Sequence, residues 1–401
     1  MPDPMTPLAI SAYTATSAMG RGLHAHLASL RGERTALQPN DFGPTPLPCW
    51  VGRVAGLEDA PLPAPHAGWD CRNNRLAWLG LQQDDFMSRV LEARARYGAD
   101  RVALVLGTST ASIGATEEAY RTLDADGGFA DAMLRPELHA PHSLAAFVAA
   151  ALGLEGPCLT ISTACSSSAK VFASAERLLR LGLVDAAVVG GVDSLCASVL
   201  FGFNALELVS RTPCRPFDAD RDGISIGEAA AFALLERGMA APARPRLIGY
   251  GESSDAHHMS TPDPNGRGAE LALRAALERA AIEPAQVDYV NLHGTASIKN
   301  DEVEAAVLER LFPITTRASS SKGYSGHTLG AAGALEAVIS LLAMAHDLLP
   351  GNLGATTPDP RCGPRFAWRN ESRPITVALS NSFGFGGNNA CLLFAHAGVA
   401  P

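Results

Sequence analysis

The sequence predicts an α/β fold in which helices cover the sheets of two similar halves. Short apolar runs that suit strands alternate with Ala- and Leu-rich runs that suit helices, a pattern typical of sheets covered by helices. The alternation restarts past Pro245. Hydrophobic residues make up 47% of the 401 residues and charged residues 18%, which supplies a large core and excludes a disordered chain. Internal identity between the halves is too weak to prove a duplication.

In the first half, four apolar runs predict strands and one further run predicts a helix. The strands are expected over residues 101–106, 158–163, 186–189 and 229–235, and the helix over 166–181. A segment rich in Pro and Gly, residues 35–70, predicts a long surface excursion rather than a linker.

The second half repeats this plan with four strands and three helices. The strands are expected over residues 247–251, 287–292, 375–381 and 390–395, and the helices over 269–281, 301–311 and 329–345. A loop rich in Pro, Asp, Ser and Gly, residues 255–268, follows the first of these strands.

Charge, targeting signals and cysteine spacing exclude several classes of function. The net charge of −9 argues against a general affinity for nucleic acid, because phosphate binding needs a positive surface. The N-terminus lacks the basic start of a signal peptide, and no run reaches the ~18 uninterrupted apolar residues of a membrane helix. We therefore expect a cytoplasmic protein without a membrane partner. None of the eight cysteines forms a C-x-x-C pair, so we expect no metal site.

Cys165 is the cysteine whose context indicates reactivity. It lies where the predicted strand 158–163 gives way to the predicted helix 166–181. Unpaired N–H groups and the positive end of the helix dipole favour a thiolate, so the pKa of this thiol is expected to fall. The sharp turn also projects the side chain outward, as a nucleophile elbow does. The alternative is a buried structural cysteine before a Ser-rich helix cap.

Two histidines and a lysine in the second half complete a candidate constellation. His293 ends a predicted strand, at the edge where open α/β sheets bind ligands. His327 lies near the start of the helix predicted over 329–345, and Lys322 lies five residues earlier. Each alone is better explained as a core histidine or a surface lysine. Together with a thiolate, two neutral imidazoles that donate hydrogen bonds to an enolate suit carbon–carbon bond formation better than hydrolysis.

A glycine-rich run at residues 384–389 offers backbone donors. It lacks the following Lys-Ser/Thr of a phosphate-binding loop, and a strand rather than a helix comes after it. Its glycines free backbone N–H groups to point inward, so an oxyanion hole is the functional interpretation. A tight hairpin without a catalytic role is the alternative.

Five motifs stand in a specific order along the chain. They are TACSSSAK at 163–170, CRPFDADRDGISIGEAAA at 214–231, NLHGTAS at 291–297, SSKGYSGHTLGAAGALEA at 320–337 and NSFGFGGNNA at 381–390. The set resembles the β-ketoacyl-acyl carrier protein synthases, in the elongating Cys-His-His branch of the thiolase superfamily. The resemblance implies a thiolase fold with two βαβαβαββ halves in five αβαβα layers, usually as a homodimer. Residues 1–244 would form the half with the cysteine, and residues 245–401 the half with the histidines.

The resemblance also implies a reaction and the groups that perform it. Cys165 would take an acyl chain as a thioester, and His293 and His327 would bind the malonyl thioester carbonyl and support decarboxylation. Lys322 would hold His327 and the local charge network. The reaction would be a decarboxylative Claisen condensation with malonyl-acyl carrier protein, which extends the chain by two carbons in fatty acid or type II polyketide synthesis.

Further matched positions would bind and gate the substrates. The backbone N–H groups of Cys165 and Phe385 would form the oxyanion hole, and Phe385 would gate the acyl pocket together with the loop 255–268. Thr295 and Ser297 would contact the phosphopantetheine arm of the acyl carrier protein, the expected partner. No metal or redox cofactor would be required.

Several positions depart from the family pattern. Ser297 stands where a second Thr is common, Tyr324 is larger than usual, and Thr110 lies near the position that limits acyl-chain entry in relatives. The TACSSS segment and the Ser297 and Tyr324 departures favour a type II polyketide or aryl polyene synthase over primary fatty acid synthesis, and Thr110 indicates an unusual acyl group.

Two other functions stay open. A non-catalytic chain-length partner of a ketosynthase heterodimer loses the active cysteine, whereas Cys165, His293, Lys322 and His327 are all present. A degradative thiolase uses a second cysteine and lacks the paired histidines.

Overall fold

Strands and helices alternate along the parts of the chain that the structure, a computed structural model, describes: residues 4–238 and 244–396. The strands are β1 Leu8–Ser17, β2 Gly20–Arg21, β3 Gln38–Pro39, β4 Trp50–Gly52, β5 Val102–Gly107, β6 Cys158–Ile161, β7 Ala186–Asp193, β8 Ile226–Gly227, β9 Ala229–Glu236, β10 Arg246–Ser254, β11 Tyr289–Asn291, β12 Arg317–Ser319, β13 Leu348–Leu349, β14 Glu371–Ser372, β15 Val377–Gly384 and β16 Asn388–Ala395. The α-helices are α1 Gly22–Arg31, α2 Arg72–Leu81, α3 Phe86–Tyr97, α4 Ile113–Arg121, α5 Pro136–His139, α6 Ser143–Leu152, α7 Ser167–Arg180, α8 Ala197–Ala205, α9 Arg267–Ala280, α10 Ile298–Leu311, α11 Lys322–Ser325 and α12 Ala332–His346.

The two halves have the same strand order. The main sheet runs β12-β11-β15-β16-β10-β1-β9-β7-β5-β6, so each half reads third, second, fourth, fifth, first. In both halves the second strand is parallel to the third and the fourth, and the fifth is antiparallel to its neighbours. The halves join at β1 and β10 through the pairs Leu8–Leu247 and Ala9–Arg246. This repeated topology is what a duplicated βαβαβαββ unit produces.

Helices complete the five αβαβα layers. Helices α7 and α12 pack against each other, and each contacts strands of both halves, so the pair forms the central layer. Helices α2, α3 and α6 cover the outer face of the first half, and α9 covers that of the second, with α10 beside it. Because helices cover both faces, β5, β7 and β9 are buried along their whole length. This explains why the sequence shows continuous apolar runs there rather than alternation.

The central helix of the second half is unusually apolar. Among the described residues, the segment Leu329–His346 is long and apolar enough to cross a membrane, and 89% of it is buried inside the protein. Burial between two sheets explains such a composition, because a helix covered on all sides needs no polar face.

The sequence analysis missed several elements in the first half. Strand β1 was not predicted, because its alternating Ser, Tyr and Thr residues interrupt the apolar pattern, and α2, α3 and α6 were not predicted either. Residues 35–70 are mostly exposed, as expected of a surface excursion. Within them, however, β4 pairs with β8, and Val51 and Leu57 are fully buried, since short apolar stretches between the prolines reach the core.

The predicted boundary between the halves at residues 244 and 245 falls between β9 and β10. It adjoins residues 239–243, which lie outside the described residues, and it stays a prediction.

Candidate active site

Cys165 lies in a sharp turn between β6 and α7. The residue before it, Ala164, has a left-handed backbone with φ of 53°, and α7 begins two residues after the cysteine. The side-chain Oγ of Ser167 accepts a hydrogen bond from the backbone of Thr163 at 2.9 Å and donates to the carbonyl of Ala164 at 2.6 Å. The turn therefore fixes the thiol of Cys165 inside the protein, where it is 5% exposed.

The thiol of Cys165 is protonated in the resting site. Burial raises its pKa to about 11, while the charge of Lys322 and a hydrogen bond from the backbone N–H of Phe385 oppose that rise. The expected lowering of this pKa is therefore wrong. Removing water disfavours the thiolate more than these positive groups favour it.

The imidazole of His327 contacts the thiol. Its Nε2 lies 3.0 Å from the Sγ of Cys165. Its backbone is held between Ser225 and Gly227 by hydrogen bonds of 2.7 and 2.9 Å. Burial and the charge of Lys322 hold the pKa of His327 well below 6.5. The imidazole is therefore neutral and can accept the proton of the thiol.

His293 stands beside His327, two residues after the end of β11. The two rings meet edge to face with centroids 5.3 Å apart. Burial, then the charges of Lys322 and His327, keep the pKa of His293 well below 6.5. Its backbone N–H donates to Glu304 at 2.8 Å. Burial raises the pKa of Glu304 to about 7, although it accepts hydrogen bonds from His293, Gly294 and Asn381.

The ligand atoms of Cys165, His293 and His327 lie within 4.8 Å of one another. One thiol and two imidazoles at this spacing also have the donor chemistry of a metal site. The expectation of a metal-free site therefore stays a prediction.

Lys322 braces His293 rather than His327. Its ammonium donates to the backbone carbonyl of His293 at 2.5 Å, lies 3.4 Å from the His293 Nδ1 and forms an ion pair with Glu336. The expected direct hold on His327 is absent from the contacts of the described residues. The reason is topological. Strand β12 pairs with β11, so α11, which follows β12, places Lys322 next to the residues that follow β11. The charge of Lys322 nevertheless acts on both imidazoles.

Phe385 lies at the tip of the hairpin formed by β15 and β16. Its backbone N–H lies close enough to the sulfur of Cys165 to oppose the rise of the thiol pKa, and an oxyanion hole would use such a donor on the carbonyl oxygen of a bound acyl group. Gly384 permits this approach, because an added Cβ would lie 2.9 Å from the carbonyl oxygen of Thr163 and 3.2 Å from the nitrogen of Cys165. The tip also bonds to the loop 255–268, through Gly386 to Met259 at 2.7 Å.

Thr295 and Ser297 line the same cavity as the reactive groups. The cavity has a volume of about 290 Å³, and Cys165, both histidines and Phe385 also line it. The two hydroxyls lie 2.9 Å apart. Two hydroxyls in this lining can exchange hydrogen bonds with the amide groups of a ligand.

Two of the residues that depart from the family pattern, Tyr324 and Thr110, do not line this cavity. Tyr324 is fully buried and bonds to Asn370 at 3.3 Å. Thr110 donates its hydroxyl to Asp193 at 2.8 Å. Neither residue is among those that line the cavity.

The sequence analysis missed Phe203 and Asp193. Phe203 lines the cavity from α8, with its ring 5.4 Å from that of Phe385, and nothing in its local sequence pointed to this role. The carboxylate of Asp193 is fully buried and accepts hydrogen bonds from Thr108, Ser109, Thr110 and Gly330. A charged residue at the end of the apolar run AAVVGGVD was a signal that could have found it.

Most of the chain matches two descriptions of one protein family. Residues 77–241 match "Beta-ketoacyl synthase, N-terminal domain", and residues 246–356 match "Beta-ketoacyl synthase, C-terminal domain".

Similar curated proteins carry related names. The mitochondrial 3-oxoacyl-[acyl-carrier-protein] synthase of Arabidopsis thaliana is 41% identical over 61% of this chain and 57% of its own length. The 3-oxoacyl-[acyl-carrier-protein] synthase 2 of Rhizobium meliloti is 40% identical over 60% of this chain and 61% of its own length. These two matches therefore span less than two thirds of each relative. Nodulation protein E of Rhizobium meliloti is 36% identical over 73% of this chain and 75% of its own length.

Solved structures match over nearly the whole chain. A ketosynthase in complex with its chain length factor, from Xenorhabdus doucetiae, is similar with a TM-score of 0.88 and 36% identity over 98% of both chains. A β-ketoacyl synthase from Burkholderia phymatum is similar with a TM-score of 0.86 and 27% identity, over 98% of this chain and all of that one. These likenesses confirm the expected fold class.

Proposed function

This chain belongs to the β-ketoacyl synthase family, and from that premise we propose that it condenses a Cys165-bound acyl chain with malonyl-acyl carrier protein. The observation that carries the proposal is the 3.0 Å contact between the Cys165 thiol and the neutral imidazole of His327, with His293 beside it in the same cavity. A hydrolase needs one base and a water, whereas this site holds two neutral imidazoles next to a nucleophile.

In the first half-reaction, Cys165 attacks the thioester carbonyl of an acyl carrier. The thiol proton moves to Nε2 of His327, and the negative charge that develops on the carbonyl oxygen is held by the backbone N–H groups of Cys165 and Phe385. The intermediate collapses with loss of the carrier thiolate, which takes the proton from His327. The acyl group is then bound to Cys165, and the imidazole is neutral again.

In the second half-reaction, the malonyl thioester carbonyl binds against the two imidazoles. Loss of CO₂ leaves an electron pair that becomes an enolate, held by hydrogen bonds from His293 and His327. The enolate carbon attacks the acyl carbonyl on Cys165, the Cys165 thiolate leaves, and it takes up one proton from solvent, which the overall reaction consumes. The product is a β-ketoacyl carrier lengthened by two carbons. Decarboxylation itself supplies the carbanion, so the proposed reaction uses no metal or redox cofactor.

The proposed pathway is a specialised one, type II polyketide or polyene synthesis in the cytoplasm. The likeness to a ketosynthase that assembles with a chain length factor supports this choice over primary fatty acid synthesis, as does Ser297 in the carrier channel. Because Cys165 and its base are in contact, the chain would be the catalytic subunit, and the alternative of a non-catalytic chain-length partner is disfavoured.

The proposed partner surface of the dimer lies around β6. This strand ends the main sheet and has no neighbour on its outer side among the described residues, so its backbone groups are free to pair. Large apolar side chains are exposed there and on the nearby α8, with Leu159 at 39% and Phe201 at 47%. A second copy or a related ketosynthase-like subunit would cover them.

Mass spectrometry of the intact protein tests the proposed function. The protein is incubated with a panel of saturated, polyunsaturated and aryl-primed acyl-carrier thioesters, followed by malonyl-carrier. We expect an acyl adduct on Cys165 that malonyl-carrier discharges, and the preferred donor identifies the pathway. An absence of adducts with every donor would contradict a catalytic role and favour the chain-length partner.

A further inference from the structure

Lysine is rare in this protein, and two of its three lysines lie at the candidate active site. The sequence contains 32 basic residues, of which 29 are arginines and only three are lysines: Lys170, Lys299 and Lys322. Lys322 is in the active site, and Lys299 lines the mouth of its cavity. An arginine carries a broad planar head, whereas a lysine delivers a single compact charge. The third lysine, Lys170, does not line this cavity.

Lys170 joins the nucleophile helix to the hairpin that carries Phe385. It lies on α7, five residues after Cys165, and its Nζ donates to the Oδ1 of Asn388 at 3.0 Å. Asn388 is the first residue of β16, three residues after Phe385. Burial lowers the pKa of Lys170, and the charge of Glu252 opposes that shift while Arg177 adds to it. Lys170 therefore has few waters to compete with its bond to Asn388.

The position of Asn388 sets where the hairpin bends. Its backbone pairs with Gly384 of β15 and with Ser254 of β10. Beyond it only Phe385, Gly386 and Gly387 remain in the turn, and both glycines have positive φ, 75° and 74°. Backbone pairing with β15 and β10 fixes the base of the hairpin. The hydrogen bond from Lys170 additionally links this base to α7.

We propose that Lys170 is a positioning residue that braces the base of the Phe385 hairpin and so keeps the Phe385 backbone N–H aimed at Cys165 during acyl transfer. The proposal rests on the proposed function, because it assigns Lys170 to the oxyanion hole of that reaction. One rigid helix, α7, then sets both the nucleophile and the loop that carries the second oxyanion donor. Without the brace, only backbone pairing fixes Asn388, so the Phe385 N–H would be held less tightly in its position beside Cys165.

The test compares two reactions of the same thiol. Acyl transfer from hexanoyl-acyl carrier protein needs the oxyanion hole, whereas alkylation by iodoacetamide does not. We expect Lys170→Met to slow acyl transfer about tenfold, less than the ~10²–10³ lost when such a donor is deleted outright, with alkylation unchanged. Lys170→Gln, which keeps one donor for Asn388, restores part of the rate.

A double-mutant cycle identifies the partner. Asn388→Ala is expected to reproduce the loss of Lys170→Met, and the double variant is expected to lose no more than either single variant. Acyl transfer at the wild-type rate in Lys170→Met would overturn the proposal. An equal loss in alkylation would overturn it too, because the effect would then lie in the thiol or in the fold.

Hydrogen exchange separates this proposal from the proposed function. If the wild-type protein takes no acyl group from any donor, the proposed function fails, but the brace is still measurable. We expect the amides of residues 385–387 to exchange about tenfold faster in Lys170→Met than in the wild-type protein. Identical exchange in the two proteins would refute the brace.

Discussion

The third strand of each half leads into the central helix of that half, and the two junctions carry different chemistry. After β6 comes Cys165, and after β12 come Lys322 and His327. The same topology thus presents a nucleophile from one side and its base from the other. The two atoms meet at 3.0 Å across the interface between the halves.

The second strands show the same divergence. After β5, the hydroxyl and amide donors of Thr108, Ser109 and Thr110 are turned to the buried carboxylate of Asp193. After β11, His293 and Thr295 face the cavity instead. In the first half, the polar residues that follow the second strand stabilise the structure. In the second half, the corresponding residues remain available to a substrate.

The largest effect is expected at the junction of the first half. Cys165→Ala removes the only atom that can carry the acyl chain in the proposed reaction, so we expect condensation to fall by at least about 10³-fold. Product formation from acyl- and malonyl-carrier measures it. Cys362→Ala, a substitution of a cysteine outside the cavity, is the matched control and should leave the rate unchanged. Condensation retained by Cys165→Ala would sink the mechanism.

The next effect separates the two histidines of the second half. Of the two histidines, His327 is the one that contacts the thiol. His327→Ala should therefore slow both acyl transfer and condensation. His293→Ala should leave acyl transfer near the wild-type rate and lower condensation about 10²-fold, as expected for loss of one group that acts on the transition state. Intact-mass kinetics give the first rate and product analysis the second. Equal effects of the two variants on acyl transfer would show that the roles are shared.

A smaller effect is expected at the structural side of the comparison. Asp193→Asn replaces an acceptor of several hydrogen bonds with an amide whose N–H₂ faces other donors. We expect the free energy of unfolding to fall by about 2 to 3 kcal/mol. Ser109→Ala, which removes one hydroxyl, should cost about 1 kcal/mol. Urea denaturation followed by circular dichroism measures both. Unchanged stability in Asp193→Asn would mean that the network is dispensable.

The smallest effect is expected from a change of pH alone. With a thiol pKa raised by burial to about 11, the thiolate fraction of Cys165 grows as pH rises, about tenfold per unit, up to that value. Iodoacetamide labelling of Cys165 between pH 7 and 10 should therefore climb without levelling off. Cysteines of the denatured protein should level off above about pH 8.5. A plateau for Cys165 near pH 8 would instead indicate the lowered pKa that its place before α7 suggested.

The candidate residues that meet in the cavity were identifiable from sequence, whereas the direction in which the pKa of Cys165 shifts was not. Cys165, His293 and His327 stand out because each lies at a strand end beside small residues, and local sequence is enough to find such positions. The pKa of Cys165 depends on how much water the second half removes from around it, which no local pattern encodes. The partner of Lys322 likewise follows from β11 and β12 being neighbours, a fact of tertiary pairing.

The fold was predictable where strands are covered on both faces. Buried strands such as β7 and β9 are apolar up to their last residues, Asp193 and Glu236, and were found. Strand β1 was missed because its ten residues mix buried and half-buried positions, although it joins the two halves. In the segment 35–70 the exposed course was predicted, but the short strand β4 was missed because prolines mask the apolar residues between them.

The central layer has a consequence for how this protein arose. Helix α7 and helix α12 each complete their cover with strands of the opposite half, and α12 is buried through nearly all of its length. A half of this kind on its own would leave an apolar helix face in water. We therefore expect that any precursor of single-half length had to pair with a second half to cover its central helix.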